Sequence, residues 1–119
     1  VIDTLYGADP TLPTLKTWPI GNGPVIRRFE QSHSAWTIGY MSRTISRALG
    51  RAGEELGVPF GYDVAETFTD PSGILGVRPD LEACSINIAR RYSHSPHEIV
   101  DIRDVEWTLQ IVERALNYL

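Results

Sequence analysis

The run from Leu81 to Ala89 is apolar and β-compatible, and soon after it the chain turns at Pro96 and begins a well-capped helix near Asp101. Such a run reads as an interior strand, the kind that a sheet covered by helices contains. The rest of the chain supplies partners of both kinds. Val1 to Thr4 reads as the end of a buried strand, Val25 to Phe29 as a short strand delivered by the turn Gly21-Asn22-Gly23-Pro24, and Phe60 to Phe68 as an alternating strand. Residues 5 to 22 carry Pro10, Pro13 and Pro19 and are expected to be an irregular surface segment.

Two helices stand out. The first takes Ser32 or Ser34 as N-cap, sets Ile38, Met41, Ile45, Ala48, Leu49, Ala52 and Leu56 at three-to-four spacing, and stops at Gly57 before Val58-Pro59. Its stripe with a lone Met is what a helix covering a sheet needs, so it reads as core packing rather than a cofactor box. The second takes Asp101 as N-cap and Asp104 at the third helical position, and is expected to bury Val105, Leu109, Val112 and Leu116. Between them, Thr69-Asp70-Pro71-Ser72-Gly73 is a turn able to start a short helix through Leu75. Strands alternating with helices are the pattern of an α/β layer, and 119 residues make one domain.

Charge and cysteine content narrow the function classes. A formal charge of -4 with mixed signs argues against a sequence-independent nucleic-acid binder, which needs a basic stripe. The one basic row, Arg43, Arg47 and Arg51, has helical i, i+4 spacing and reads as a solvated face. Cys84 is the only cysteine, so no intrachain disulfide can form; it sits in an apolar run and is expected in the core, and a reducing compartment, the cytoplasm, is the natural expectation. No apolar stretch is long enough to span a bilayer, which argues against a membrane partner. The opening Val1-Ile2-Asp3-Thr4 suggests a chain that begins inside a larger domain.

His94 stands where the interior strand gives way to a loop, the place in an open α/β sheet where ligands and metals are held. Three arrangements use it. Ser93 and Ser95 flank it, but neighbours on a strand point to opposite faces and neither serine has an elbow sequence, which disfavours a nucleophile triad. His94, His97 and Glu98 are all metal-competent donors close in sequence. Asp3 ends the first strand, so a common strand direction brings its carboxylate near the His94 imidazole at one edge of the sheet, a pair suited to zinc or cobalt. Against these stands a structural reading, with Asp3 capping a turn and His94 hydrogen-bonded locally; spacing alone leaves the choice open.

The stretch from Ile86 to Glu106 resembles the closing signature of the glutamyl and deblocking (TET-type) metallo-aminopeptidases, in which Arg-Tyr-x-His-Ser-Pro-x-Glu precedes an Asp-x-x-Asp-Val-Glu helix start; here these are Arg91 to Glu98 and Asp101 to Glu106. Val1-Ile2-Asp3-Thr4 with Asp9, Gly21 to Ile26, Gly57-Val58-Pro59 and Thr69-Asp70 resemble further family segments in the same order. The chain departs from the family at Phe68 to Gly73, where Gly-Thr-Asp-Ala-Gly is usual, and at Ala89-Arg90, where a proline is usual.

The resemblance implies the C-terminal part of a catalytic domain, a mixed sheet flanked by helices in a three-layer metallopeptidase fold, spanning residues 1–119. It implies an aminopeptidase with two divalent metal ions, zinc or cobalt, in which Asp3 is a ligand of one ion and His94 of the other. The first histidine ligand, the bridging aspartate, a glutamate ligand and the general-base glutamate have no match in this chain, so no catalytic residue is assigned to it. The partners implied are a peptide substrate, the missing N-terminal portion and further copies in a homo-oligomer; the preferred N-terminal residue stays open. Two other readings are a non-catalytic α/β assembly module of the same fold, and a carboxypeptidase or deacylase of the wider clan.

Overall fold

Three strands come first, and two more strands then alternate with three helices, in a computed structural model that describes residues 1–8, 18–32 and 37–119. The strands are β1 (Ile2–Tyr6), β2 (Val25–Ser32), β3 (Thr37–Tyr40), β4 (Gly61–Glu66) and β5 (Ile86–Arg90); the helices are α1 (Arg43–Leu56), α2 (Asp70–Val77) and α3 (Ile102–Ala115). They form one mixed sheet. β1 runs parallel to β5, β5 antiparallel to the start of β2, and β2 pairs with β4 in parallel and with β3 antiparallel. A bulge interrupts the β2–β4 ladder: Arg27 lies opposite Asp63 and Phe29 opposite Val64, leaving Arg28 as the extra residue.

The interior strand of the sequence reading is β5, buried from Ile86 to Ala89 between β1 and β2. It is shorter than expected, because Leu81 to Ser85 carry no strand ladder. Two helices cover the sheet, with Ile26, Ile86 and Cys84 meeting Ala48, Leu49 and Ala52 of α1 and Ile111 and Ala115 of α3. The small residues let the helices approach closely, and burial of this apolar surface contributes at about 25 cal/mol per Å².

Several expectations need correction. α1 starts one full strand later than predicted: Ser42 caps it, its side chain accepting the Ile45 N–H at 3.1 Å, while Ser32 ends β2 and Ser34 lies outside the described residues. Ile38, counted in the helical stripe, belongs to β3. Gly57 does end α1, in the left-handed conformation with φ 64°. β1 is an edge strand rather than a buried one, with Val1 and Ile2 each 48% exposed, and it continues through Leu5 and Tyr6 where an irregular segment was expected. Of the rest of that expected segment, Gly7, Ala8 and the residues from Trp18 onward are described.

α3 turns a different face inward from the predicted one. Asp104, Thr108, Ile111 and Ala115 are buried, while Leu109 and Leu116 stay exposed and Val105 and Val112 are half-buried. Asp104 explains the rotation: its carboxylate accepts the Gly21 N–H at 2.7 Å and the Gly23 N–H at 2.8 Å, tying α3 to the turn that delivers β2. That turn requires its glycines. Both have positive φ, and a Cβ on Gly23 would collide with the Pro59 carbonyl.

Cys84 is in the core as expected, and burial pushes its thiol up to about 11. At pH 8 this leaves about 100-fold less thiolate than an ordinary thiol has. Iodoacetamide should therefore modify Cys84 at least about 100-fold more slowly in the folded protein than in denaturant, as followed by mass spectrometry; equal rates would contradict the burial.

Candidate metal centre

A cavity of about 860 Å³ opens along the strands, and Asp3 and His94, 91 positions apart in the chain, both line it. Parallel pairing of β1 with β5 is what joins the two ends of the chain. Asp3 lies in that ladder opposite Asn87, and His94 follows β5 by four residues. Asp3 is thus not at the end of its strand, as the sequence suggested, because β1 runs on to Tyr6. The shared cavity is reached instead because the loop after β5 folds back.

Both side chains are suited to hold a metal. Asp3 commits Oδ1 to the Thr4 N–H at 2.7 Å and leaves its second oxygen without a hydrogen bond among the described residues. The His94 ring nitrogens have no hydrogen-bond partner among those residues either, so the imidazole is not held in the local bonding of a structural histidine. A hard carboxylate and an imidazole match zinc and cobalt. Among the described residues no three His, Cys, Asp or Glu side chains gather closely enough to enclose an ion.

The local cluster of His94, His97 and Glu98 is not assembled. Glu98 spends both carboxylate oxygens on Arg90 Nη1, at 2.5 and 2.6 Å, and one of them also accepts the His94 backbone N–H at 2.7 Å. The Arg90 hydrogen bond, followed by that of the His94 N–H, holds the Glu98 carboxyl below its usual range. The flanking serines do not form a triad. Ser95 Oγ donates to the His97 carbonyl, and Ser93 only lines the cavity. Asp9 lies outside the described residues.

The loop carries its histidine in an unusual backbone. Tyr92 has φ 56° and His94 φ 60°, both in the left-handed region that side chains with a Cβ avoid. A bridge between Arg91 and Ile99 closes the loop, with the Arg91 N–H donating to the Ile99 carbonyl at 3.0 Å and the reverse bond at 3.3 Å. Arg91 also donates to the Ala8 carbonyl, tying the loop to the segment after β1.

A second polar group bounds the cavity and escaped the sequence reading. Glu30 is fully buried, accepting the Thr69 N–H at 2.9 Å and hydrogen bonds from the hydroxyls of Thr69 and Ser72, at 2.8 and 2.5 Å. Thr69 caps α2 without a side-chain bond to its own helix, so a carboxylate from β2 does that work from across the sheet. Buried Arg27 lies 3.7 Å from Glu30 and 2.8 Å from Asp63. Burial pushes the Asp63 carboxyl above its usual range against the opposing pull of Arg27. The signal was present as Arg27 and Glu30, two opposite charges inside a strand-forming run. Arg51 of the basic row likewise pairs with Glu55 at 2.9 Å and stacks over Tyr118, while Arg43 and Arg47 are exposed.

Solved structures share this architecture. An aminopeptidase from the archaeon Desulfurococcus kamchatkensis superposes with a TM-score of 0.76 at 25% identity, over 98% of this chain and 32% of its own. A TET aminopeptidase from a marine sediment archaeon of the Thaumarchaeota gives 0.76 at 16% identity, over 100% of this chain and 34% of that one. The Pyrococcus horikoshii TET1 peptidase, described as assembling into a tetrahedron or a large octahedral shell, gives 0.66 at 23% identity, over 95% and 31%. The last two likenesses are of fold alone. This chain therefore spans about a third of the length of those proteins. None of the curated proteins matches it. No helix among the described residues is long and apolar enough to cross a membrane. The model of the M42 glutamyl aminopeptidase family matches residues 1–111, and the chain belongs to that family.

Proposed function

We propose that the chain is the C-terminal part of the catalytic domain of a two-metal aminopeptidase, to which Asp3 and His94 each contribute a metal ligand. The observation that carries this reading is that the two side chains the family signature singles out line one cavity with metal-binding atoms uncommitted among the described residues. Paired divalent ions, zinc or cobalt, supply a polarised peptide carbonyl and an activated water when bound. The chain's own residues hold and orient them. Asp3 projects from a strand fixed by its pairing with β5, and His94 from a loop closed on both sides. Family membership supports a peptide substrate entered at its N-terminus, the single cysteine, unpaired and buried, suits the reducing cytoplasm, and the shells described for the Pyrococcus horikoshii TET1 peptidase support self-assembly. The general base and the other ligands come from the portion of the domain upstream of β1.

The full-length protein, loaded with zinc or cobalt, is expected to release N-terminal residues from short peptides, and its His94→Ala form to lose metal and activity together. Normal activity in His94→Ala would sink the assignment. Release from the C-terminus instead would point to a carboxypeptidase of the same clan, and a purified protein without metal or cleavage to an assembly module.

A further inference from the structure

We propose that Glu98 is the positioning residue of His94, acting through the histidine's backbone rather than its ring. The inference rests on the reading of His94 as a metal ligand. A left-handed conformation is strained at a residue with a Cβ, and Tyr92 and His94 both adopt it. Such a backbone persists only where surrounding contacts over-determine it. At His94 the contact is the Glu98 carboxylate, which accepts its N–H at 2.7 Å.

The carboxylate is itself anchored. Arg90, the last residue of interior strand β5, holds both Glu98 oxygens through Nη1, and the side chains of Arg90 and Glu98 are only 16% and 30% exposed. The sheet therefore fixes the guanidinium, the guanidinium fixes the carboxylate, and the carboxylate fixes the peptide that carries the imidazole. Ligating histidines are commonly steered by a carboxylate on the second ring nitrogen. Here that nitrogen has no partner among the described residues, and the steering is moved one bond-chain back, to the main chain. With both oxygens occupied, Glu98 is unsuited to bind metal or to take a proton.

The test uses the full-length protein and three variants, Glu98→Ala, Glu98→Gln and His94→Ala. Zinc affinity is read by competition with a chromophoric chelator, and ligand geometry by the visible absorption of the cobalt-loaded protein. Glu98→Ala is expected to weaken zinc binding about 10- to 100-fold and to change the cobalt spectrum, with the unfolding midpoint close to that of the parent. Glu98→Gln keeps an oxygen that accepts from both His94 and Arg90, and is expected to stay within about threefold of the parent. Parent-like binding and spectrum in Glu98→Ala would overturn the proposal, as would equal losses in the Ala and Gln variants. His94→Ala separates the two ideas. If it leaves zinc affinity unchanged, the ligand reading itself fails; if it abolishes the site while Glu98→Ala does not, only the positioning role fails.

Discussion

Glu30→Ala is expected to destabilise the fold by about 4 kcal/mol, within the range seen when one member of a buried charged network is removed. The substitution strands three donors at once, the Thr69 N–H and the hydroxyls of Thr69 and Ser72, and leaves buried Arg27 with Asp63 as its charged partner among the described residues. Glu30→Gln keeps the size and one acceptor oxygen, and should lose about half as much. Denaturant unfolding of the two variants checks this. A loss below about 1 kcal/mol in the Ala variant would mean that water replaces the carboxylate, and that the start of α2 is not tied to β2. The effect reaches the cavity, since Arg27, Asp63 and Thr69 all line it.

Asp104→Ala comes second, at about 3 kcal/mol. Each backbone N–H bonded to a buried carboxylate contributes about 1.5 kcal/mol or more, and Asp104 accepts two of them from a turn that cannot relax, because Gly21 and Gly23 already sit at φ 85° and 80°. Asp104→Asn retains a single acceptor and should fall between parent and Ala. The loss should also loosen Trp18, whose Nε1 donates to the Gly23 carbonyl at 2.8 Å and whose ring lines the cavity. Tryptophan fluorescence beside thermal unfolding tests both parts. An Ala variant with parent stability would place the cohesion of that turn in Pro24 and Pro59 instead.

The layered α/β arrangement was legible because its signals are local. Gly57 after an apolar stripe, Asp101 before another and the Gly21 to Pro24 turn each act through neighbours in sequence, and each is where it was expected. The proposed ligand pair needed more than pattern: a common strand direction offers Asp3 and His94 as one of three arrangements, spacing leaves the choice open, and the family signature favours them.

What was misread depends on distant partners. Spacing puts the cap of α1 at Ser32 or Ser34, yet the cap is Ser42, because Thr37–Tyr40 pairs with β2 before the helix begins. The inward face of α3 was assigned by hydrophobicity, yet Asp104 and Thr108 are buried and Leu109 is exposed. A carboxylate whose donors lie 81 and 83 residues away gives no periodic signal.

The bulge at Arg28 sets the phase of β2. In an unbroken strand, residues three apart project to opposite faces, so Arg27 and Glu30 could not share one environment. The extra residue advances the alternation by one step, and the partners across the ladder show it: Arg27 faces Asp63 and Glu30 faces Ala65, two positions of equal parity. Strand β2 is therefore two half-strands counted from different origins. A one-residue deletion there would act as a frameshift in side-chain direction, turning the segment from Phe29 to Ser32 inside out while leaving its composition almost unchanged.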